Sequence, residues 1–118
     1  MTKQEYLDKM MKYPKDEGRI KNISEMYNTP IGDVSEKVIS FADNADFVGE
    51  ERRAFSFKEI ENASKEYDRN FQSMGIIPLF DAYDNDLIVY VVAEKVWAKY
   101  SLSDDVIFKK RNTLADLL

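Results

Sequence analysis

The apolar positions repeat with two periods, helical in the first 74 residues and strand-like after that. Over Lys3 to Tyr13, the residues Leu7, Met10 and Met11 recur at i, i+3 and i+4 with Tyr6 and Tyr13 beside them. This spacing predicts an amphipathic helix that Pro14 ends. Lys15 to Gly18 reads as a polar connection whose glycine suits a left-handed turn. Ile20, Ile23 and Tyr27 predict a second helix that closes near Asn28-Thr29-Pro30. A third follows in Val34, Val38, Phe41 and Ala45, widened by Ile39 and Ala42, with Asp33 or Ser35 as its cap. It stops in Asp43 to Asp46, and Phe47-Val48-Gly49 leads into a charged loop.

Phe55-Ser56-Phe57-Lys58-Glu59-Ile60 carries the clearest local signal. Ser56 and Glu59 have capping-box spacing, and Phe55 can staple onto Ile60, so both devices start one helix, with Ile60, Ala63, Tyr67 and Phe71 facing inward. The period then shortens to two. Ile76 to Tyr83 and Leu87 to Val92 predict a hairpin around the turn Asp84-Asn85-Asp86. A turn at Ala93 to Lys95, a strand over Val96 to Tyr100, a turn at Ser103 to Asp105 and a short strand over Val106 to Phe108 continue the pattern. Thr113 and Asp116 open a last turn that docks Leu114, Leu117 and Leu118. The expected fold is α+β: a single domain over residues 1–118, with an antiparallel β meander flanked by N-terminal helices and one central helix.

Composition narrows the chemistry. A chain of 118 residues with 44% hydrophobic residues can close one core without staples. It has no cysteine and no histidine, which removes disulfides, thiolate metal sites, cysteine nucleophiles, Ser-His catalysis and ordinary zinc sites. The opening residues carry scattered charges and no apolar run, so neither a signal peptide nor a membrane span is expected, and a cytoplasmic location is. A net charge of −5 argues against nucleic acid as a partner. Asp33, Glu36, Asp43, Asp46, Glu50 and Glu51 stand against the single base Lys37 in the middle of the chain, whereas both ends are basic. An acidic middle suits a basic protein partner, although a solvated charged face is the plainer reading.

Asp81, Asp84 and Asp86 are the one dense carboxylate group beside an apolar wall. Convergent carboxylates could hold a cation or serve as acid and base, but Asp84 and Asp86 flank Asn85 in a turn, where such residues serve the backbone. The serines have no base to activate them, and the glycines are too far apart to cradle a phosphate. Trp97, if partly exposed, would make an interface anchor.

The order of Phe55-Ser56 with Glu59-Ile60, then Gly75, Ile77, Pro78 and Leu79, then Asp84 to Asp86 before Leu87 and Val89, and a C-terminal Leu114 to Leu118, resembles the SUKH superfamily, the Smi1/Knr4-like domain. The comparable N-terminal stretch reads Pro30-Ile31, Val38 to Phe41 and Ala42-Asp43-Asn44, without the glycine usual after that asparagine. The resemblance implies a helix-flanked sheet, with Phe55, Ser56, Gly75, Ile77, Pro78 and Leu79 as the fold motif. In bacteria it implies an immunity protein that neutralises a cognate toxin, often a nuclease; other members are interaction domains without catalysis. The expectation is therefore a non-catalytic protein-binding module for a basic toxin domain, with no cofactor, metal or catalytic residue. Its contact residues would be Asp43, Asp46, Glu50, Glu51, Asp84, Asp86 and Trp97. The alternatives are a regulatory interaction domain with another client and, more distantly, a carboxylate- or metal-dependent hydrolase.

Overall fold

The computed structural model describes residues 1–45, 47–49 and 51–118. Its elements are α1 (Lys3–Lys12), α2 (Glu17–Tyr27), α3 (Asp33–Phe41), β1 (Phe47–Gly49), β2 (Arg52–Ala54), α4 (Phe57–Glu66), α5 (Phe71–Met74), β3 (Ile76–Asp81), β4 (Asp86–Val91), β5 (Val96–Ser101), β6 (Val106–Arg111) and a 3₁₀ turn at Leu114–Asp116. The strands form one antiparallel sheet in the order β1-β2-β3-β4-β5-β6, an α+β meander as the periodicity implied.

The sheet is covered on both faces. Leu87 pairs with Tyr100 and Asp81, and on that face Tyr100 meets Phe71 of α5 edge-on at 5.7 Å. Ile88 points the other way beside Phe80, which meets Tyr6 of α1 at 5.8 Å, and Tyr6 in turn meets Phe41 of α3 at 5.5 Å. Two-sided burial explains why β3 and β4 read as continuous apolar runs rather than as an alternation. Pro78, which cannot donate to a ladder, is fully inside the sheet beside a register shift between Pro78 and Phe80.

Several helix boundaries differ from the sequence expectation. In α1 the buried residues are Tyr6 and Met10, while Leu7 is half-buried and Met11 exposed, so the aromatic rather than the methionine pair sets the inner face. Gly18 is not a turn residue: Asp16 caps α2 by accepting from the Arg19 amide at 3.1 Å, and Gly18 sits in the first turn. Neither Asp33 nor Ser35 caps α3. Gly32 occupies that position at φ 87°, and an added Cβ would lie 2.5 Å from the Tyr90 hydroxyl. The helix ends at Phe41, because Ala42 leaves the helical region at ψ 147°, and Asp43 then turns left-handed at φ 75°.

The expected helix through Phe71 is two pieces. Its start is as expected: Ser56 accepts from the Glu59 amide at 3.2 Å and the Glu59 carboxylate accepts from the Ser56 amide at 2.9 Å. Asp68, left-handed at φ 54°, then breaks it, and Asn70 caps the short α5. Phe47–Gly49, expected to lead into a charged loop, and Arg52–Ala54 pair instead as the hairpin β1–β2. β6 extends to Arg111, three residues beyond the expected Phe108.

Candidate functional site

In an antiparallel meander alternate turns lie at the same end of the sheet. The β1–β2, β3–β4 and β5–β6 turns therefore share one end, and each is acidic: Glu51 in the first, Asp84 and Asp86 around the second, Asp104 and Asp105 in the third. The Leu102 amide donates to the Asn85 carbonyl at 2.7 Å, which fixes the last two turns side by side.

The β3–β4 turn has an unusual backbone. Tyr83, Asp84 and Asn85 are all left-handed, at φ 60°, 51° and 66°. Asp and Asn tolerate this conformation, but three in succession need support, since each non-glycine residue there costs on the order of 1 kcal/mol. The support comes from local hydrogen bonds. The Tyr83 amide donates to Asp81 Oδ1 at 2.8 Å, the Ala82 amide to the Asp86 carbonyl at 3.0 Å, and the Asp86 amide to the Tyr83 carbonyl at 2.9 Å. The turn holds Tyr83 outward, 38% exposed, between carboxylates.

Arg69 braces the third turn from the α4–α5 connection. Its guanidinium donates to the Leu102 carbonyl at 2.7 Å, to the Tyr67 carbonyl at 3.0 Å and to the Tyr100 hydroxyl at 3.1 Å, and lies 3.8 Å from Asp105. Tyr100 donates to Asp105 in turn. Burial and the Asp105 carboxylate both push the Tyr100 hydroxyl above the ordinary phenol range. Asp105 is thus engaged in holding the fold. Among the described residues no lysine or arginine lies within 4.0 Å of the carboxylates of Asp84, Asp86 or Asp104. Their negative potential is left for solvent or a partner.

The acidic middle of the chain is different. Asp33 and Glu36 both bind Lys15, which holds the Asp33 carboxyl below its ordinary range. Asp43 binds Arg19 at 2.9 Å at the start of α4, with the guanidinium over the Phe57 ring at 4.8 Å. Asp43 is thereby removed from the expected contact surface, because its charge is answered inside the chain. Glu51 lies 3.6 Å from the Arg52 guanidinium, its side chain 84% exposed at the rim of a 740 Å³ groove that also exposes Met1 and Phe47. Asp46 and Glu50 lie outside the described residues. Trp97 is not an anchor at the surface: it is 3% exposed and meets Tyr90 edge-on at 5.2 Å.

The carboxylates Asp81, Asp84 and Asp86 do not converge. Asp81 pairs with Leu87, so its neighbour Asp86 points to the opposite face, while Asp84 lies in the turn. Asp81 instead lies 4.0 Å from Arg53, which forks onto Glu59 at 2.8 and 2.9 Å. Among the described residues no three carboxylates gather as a metal ion would require. The fold-motif residues serve structure: Phe55, Ile77 and Leu79 are in the core, Ser56 caps α4, and Gly75, at φ 70°, closes α5.

Tyr83 and Asp104 escaped the sequence-based site. The signal was present, because two acidic turns separated by two strands of equal length must be neighbours. Among the described residues no helix is long and apolar enough to cross a membrane. Comparison of the chain with protein-family models, with curated proteins and with solved structures finds no match.

Proposed function

We propose that this chain is a non-catalytic protein-binding module that receives a basic protein partner on the acidic end of its sheet. The observation that carries the reading is the set of carboxylates without an ion pair at Asp84, Asp86 and Asp104 near the outward Tyr83, set against Asp33, Glu36, Asp43 and Glu51, which bind Lys15, Arg19 and Arg52. A fixed aromatic within a ring of acids supplies an apolar anchor and electrostatic steering together. The resemblance to SUKH domains supports a toxin as that partner, with this chain as a cytoplasmic immunity protein that covers its active site.

The test begins with the products of neighbouring genes. One of them should bind this chain at low salt and lose affinity as salt is raised, and co-expression should rescue cells from its toxicity. The charge reversals Asp84→Lys and Asp86→Lys together should weaken that complex by about tenfold or more. Binding without rescue would favour a regulatory interaction domain with another client. Binding that is indifferent to both salt and the reversals would sink the acidic-end reading.

A further inference from the structure

The last strand carries a second surface of a different kind. β6 is paired on one side only, by β5, and its outer backbone edge is unpaired within the sheet. Val106 and Phe108 are 47% and 37% exposed along it. From its turn to its end the segment reads Asp104-Asp105-Val106-Ile107-Phe108-Lys109-Lys110-Arg111: two acids, three apolar residues, three bases. A sequence of that form is complementary to itself when reversed.

Antiparallel pairing requires more than matching charge, since residues directly opposite must lie on the same face. A two-fold axis perpendicular to the sheet therefore cannot simply fold this eight-residue run onto itself, because position numbers of unlike parity would meet. The bulge removes the difficulty. Lys109 is left-handed at φ 53°, and β5 pairs Lys99 with Phe108 but Trp97 with Arg111, so one residue of β6 is extra. Beyond the bulge the faces are shifted by one. Val106, Phe108 and Arg111 then share a face, as their partners Ser101, Lys99 and Trp97 do, while Ile107 and Lys110 lie on the other.

We infer that β6 pairs antiparallel with β6 of a second copy about a two-fold axis at Ile107. In that register Ile107 faces its own counterpart and Val106 faces the partner's Phe108, so both exposed apolar side chains are covered. Asp105 approaches the partner's Lys110, and Asp104 approaches the partner's Arg111. The apolar pairs are matched in face, the carboxylates of the turn before β6 lie toward the partner's basic end, and the two sheets become continuous. Lys110 already reaches Glu94 at 2.9 Å and Asp105 reaches Arg69, so the outer pair, Asp104 with Arg111, carries most of the charge selection. The contact is small, a single edge, which places it among weak and salt-sensitive associations. It shares Asp104 with the acidic end but is tested on the chain alone, without the basic partner.

Sedimentation velocity across about 1 to 200 μM protein, at about 50 mM and 500 mM salt, tests the register. The wild-type chain should pass from monomer to dimer with concentration, more readily at low salt. Asp104→Lys and Arg111→Glu, each at an exposed position, should separately weaken the dimer by about tenfold. The swap combining both in one chain should restore it, because the introduced lysine then meets the introduced glutamate across the axis. An equimolar mixture of the two single variants should form a heterodimer, which also shows that each is folded. A chain that stays monomeric throughout overturns the inference. So does a dimer whose swapped form is no tighter than the single variants, since the contact would then lie elsewhere.

Discussion

Replacing Glu59 by Gln isolates the charge of the one carboxylate that ties β2, β3 and α4 together. Gln keeps the shape and can still accept from the Ser56 amide, so the capping box survives while the fork with Arg53 loses its negative partner. The Arg53 guanidinium holds the Glu59 carboxyl down to about 2 from an ordinary 4.5. At about 1.4 kcal/mol per pH unit that displacement corresponds to an upper bound of roughly 3 kcal/mol. Both side chains are more than a quarter exposed, at 28% and 29%, so solvent screening brings the expected loss to about 1.5 to 2.5 kcal/mol. With a urea slope of about 1.5 kcal/mol/M, the unfolding midpoint at pH 7 should fall by roughly 1 to 1.7 M. The sign of the pH dependence is fixed. A carboxyl whose folded value is depressed stabilises fully above its unfolded value of 4.5, and that contribution disappears as pH falls toward 2. The gap between wild type and variant should therefore be level from pH 7 to about 5 and shrink to roughly two-fifths by about pH 3. A midpoint gap as wide at pH 3 as at pH 7 would show that the loss comes from packing rather than charge.

Two glycines separate steric from conformational cost. Gly75→Ala, at φ 70° with nothing within 4 Å of the new Cβ, should lose about 1 kcal/mol, whereas Gly32→Ala, which also strikes the Tyr90 hydroxyl, should lose about 3 kcal/mol in urea titrations. Tyr90→Phe in the Gly32→Ala background should recover part of that loss; no recovery would mean the contact is relieved by other movements. Trp97→Ala should destabilise by about 3 to 5 kcal/mol, and the single tryptophan of the wild-type chain should resist iodide quenching until unfolding. Tyr27→Phe removes the hydroxyl that donates to the Ile76 carbonyl at 2.6 Å and should cost about 1 to 2 kcal/mol by the same titration.

What the sequence disclosed follows from how strongly each position constrains the backbone. The β3–β4 hairpin and the capping box at Ser56 were legible, because long apolar runs and paired caps have few other interpretations. The β1–β2 hairpin was not. Its strands are three residues each, and Arg52 and Arg53 sit in them as ion-pair partners rather than as an apolar stripe. The helix break at Asp68 was missed because an aspartate can turn left-handed without the glycine that would advertise it. For the surface, counting charge along the chain pointed to Asp33 through Glu51, yet Lys15 and Arg19 lie distant in sequence and neutralise Asp33, Glu36 and Asp43 only in the fold. Asp84 and Asp86 were found for their density, but their meeting with Asp104 depends on strand lengths that composition does not report. Trp97 looked available because alternation set it apart from Val96 and Ala98, while the N-terminal helices cover that second face as well.

The strand order, identical to the order of synthesis, has a consequence for how the protein is made. Each strand that leaves the ribosome finds its neighbour already present, so the sheet can grow by addition at one edge without waiting for a distant segment. During that growth the newest strand is always the exposed one, and from β3 to β5 it is largely apolar. Only with β6 does the growing edge acquire two lysines and an arginine beside a bulge, features that stop indiscriminate addition of further strands. A chain truncated before Val106 would present the largely apolar edge of β5 instead, and aggregation of such nascent fragments, rather than slow folding of the complete chain, is the expected hazard of its biogenesis.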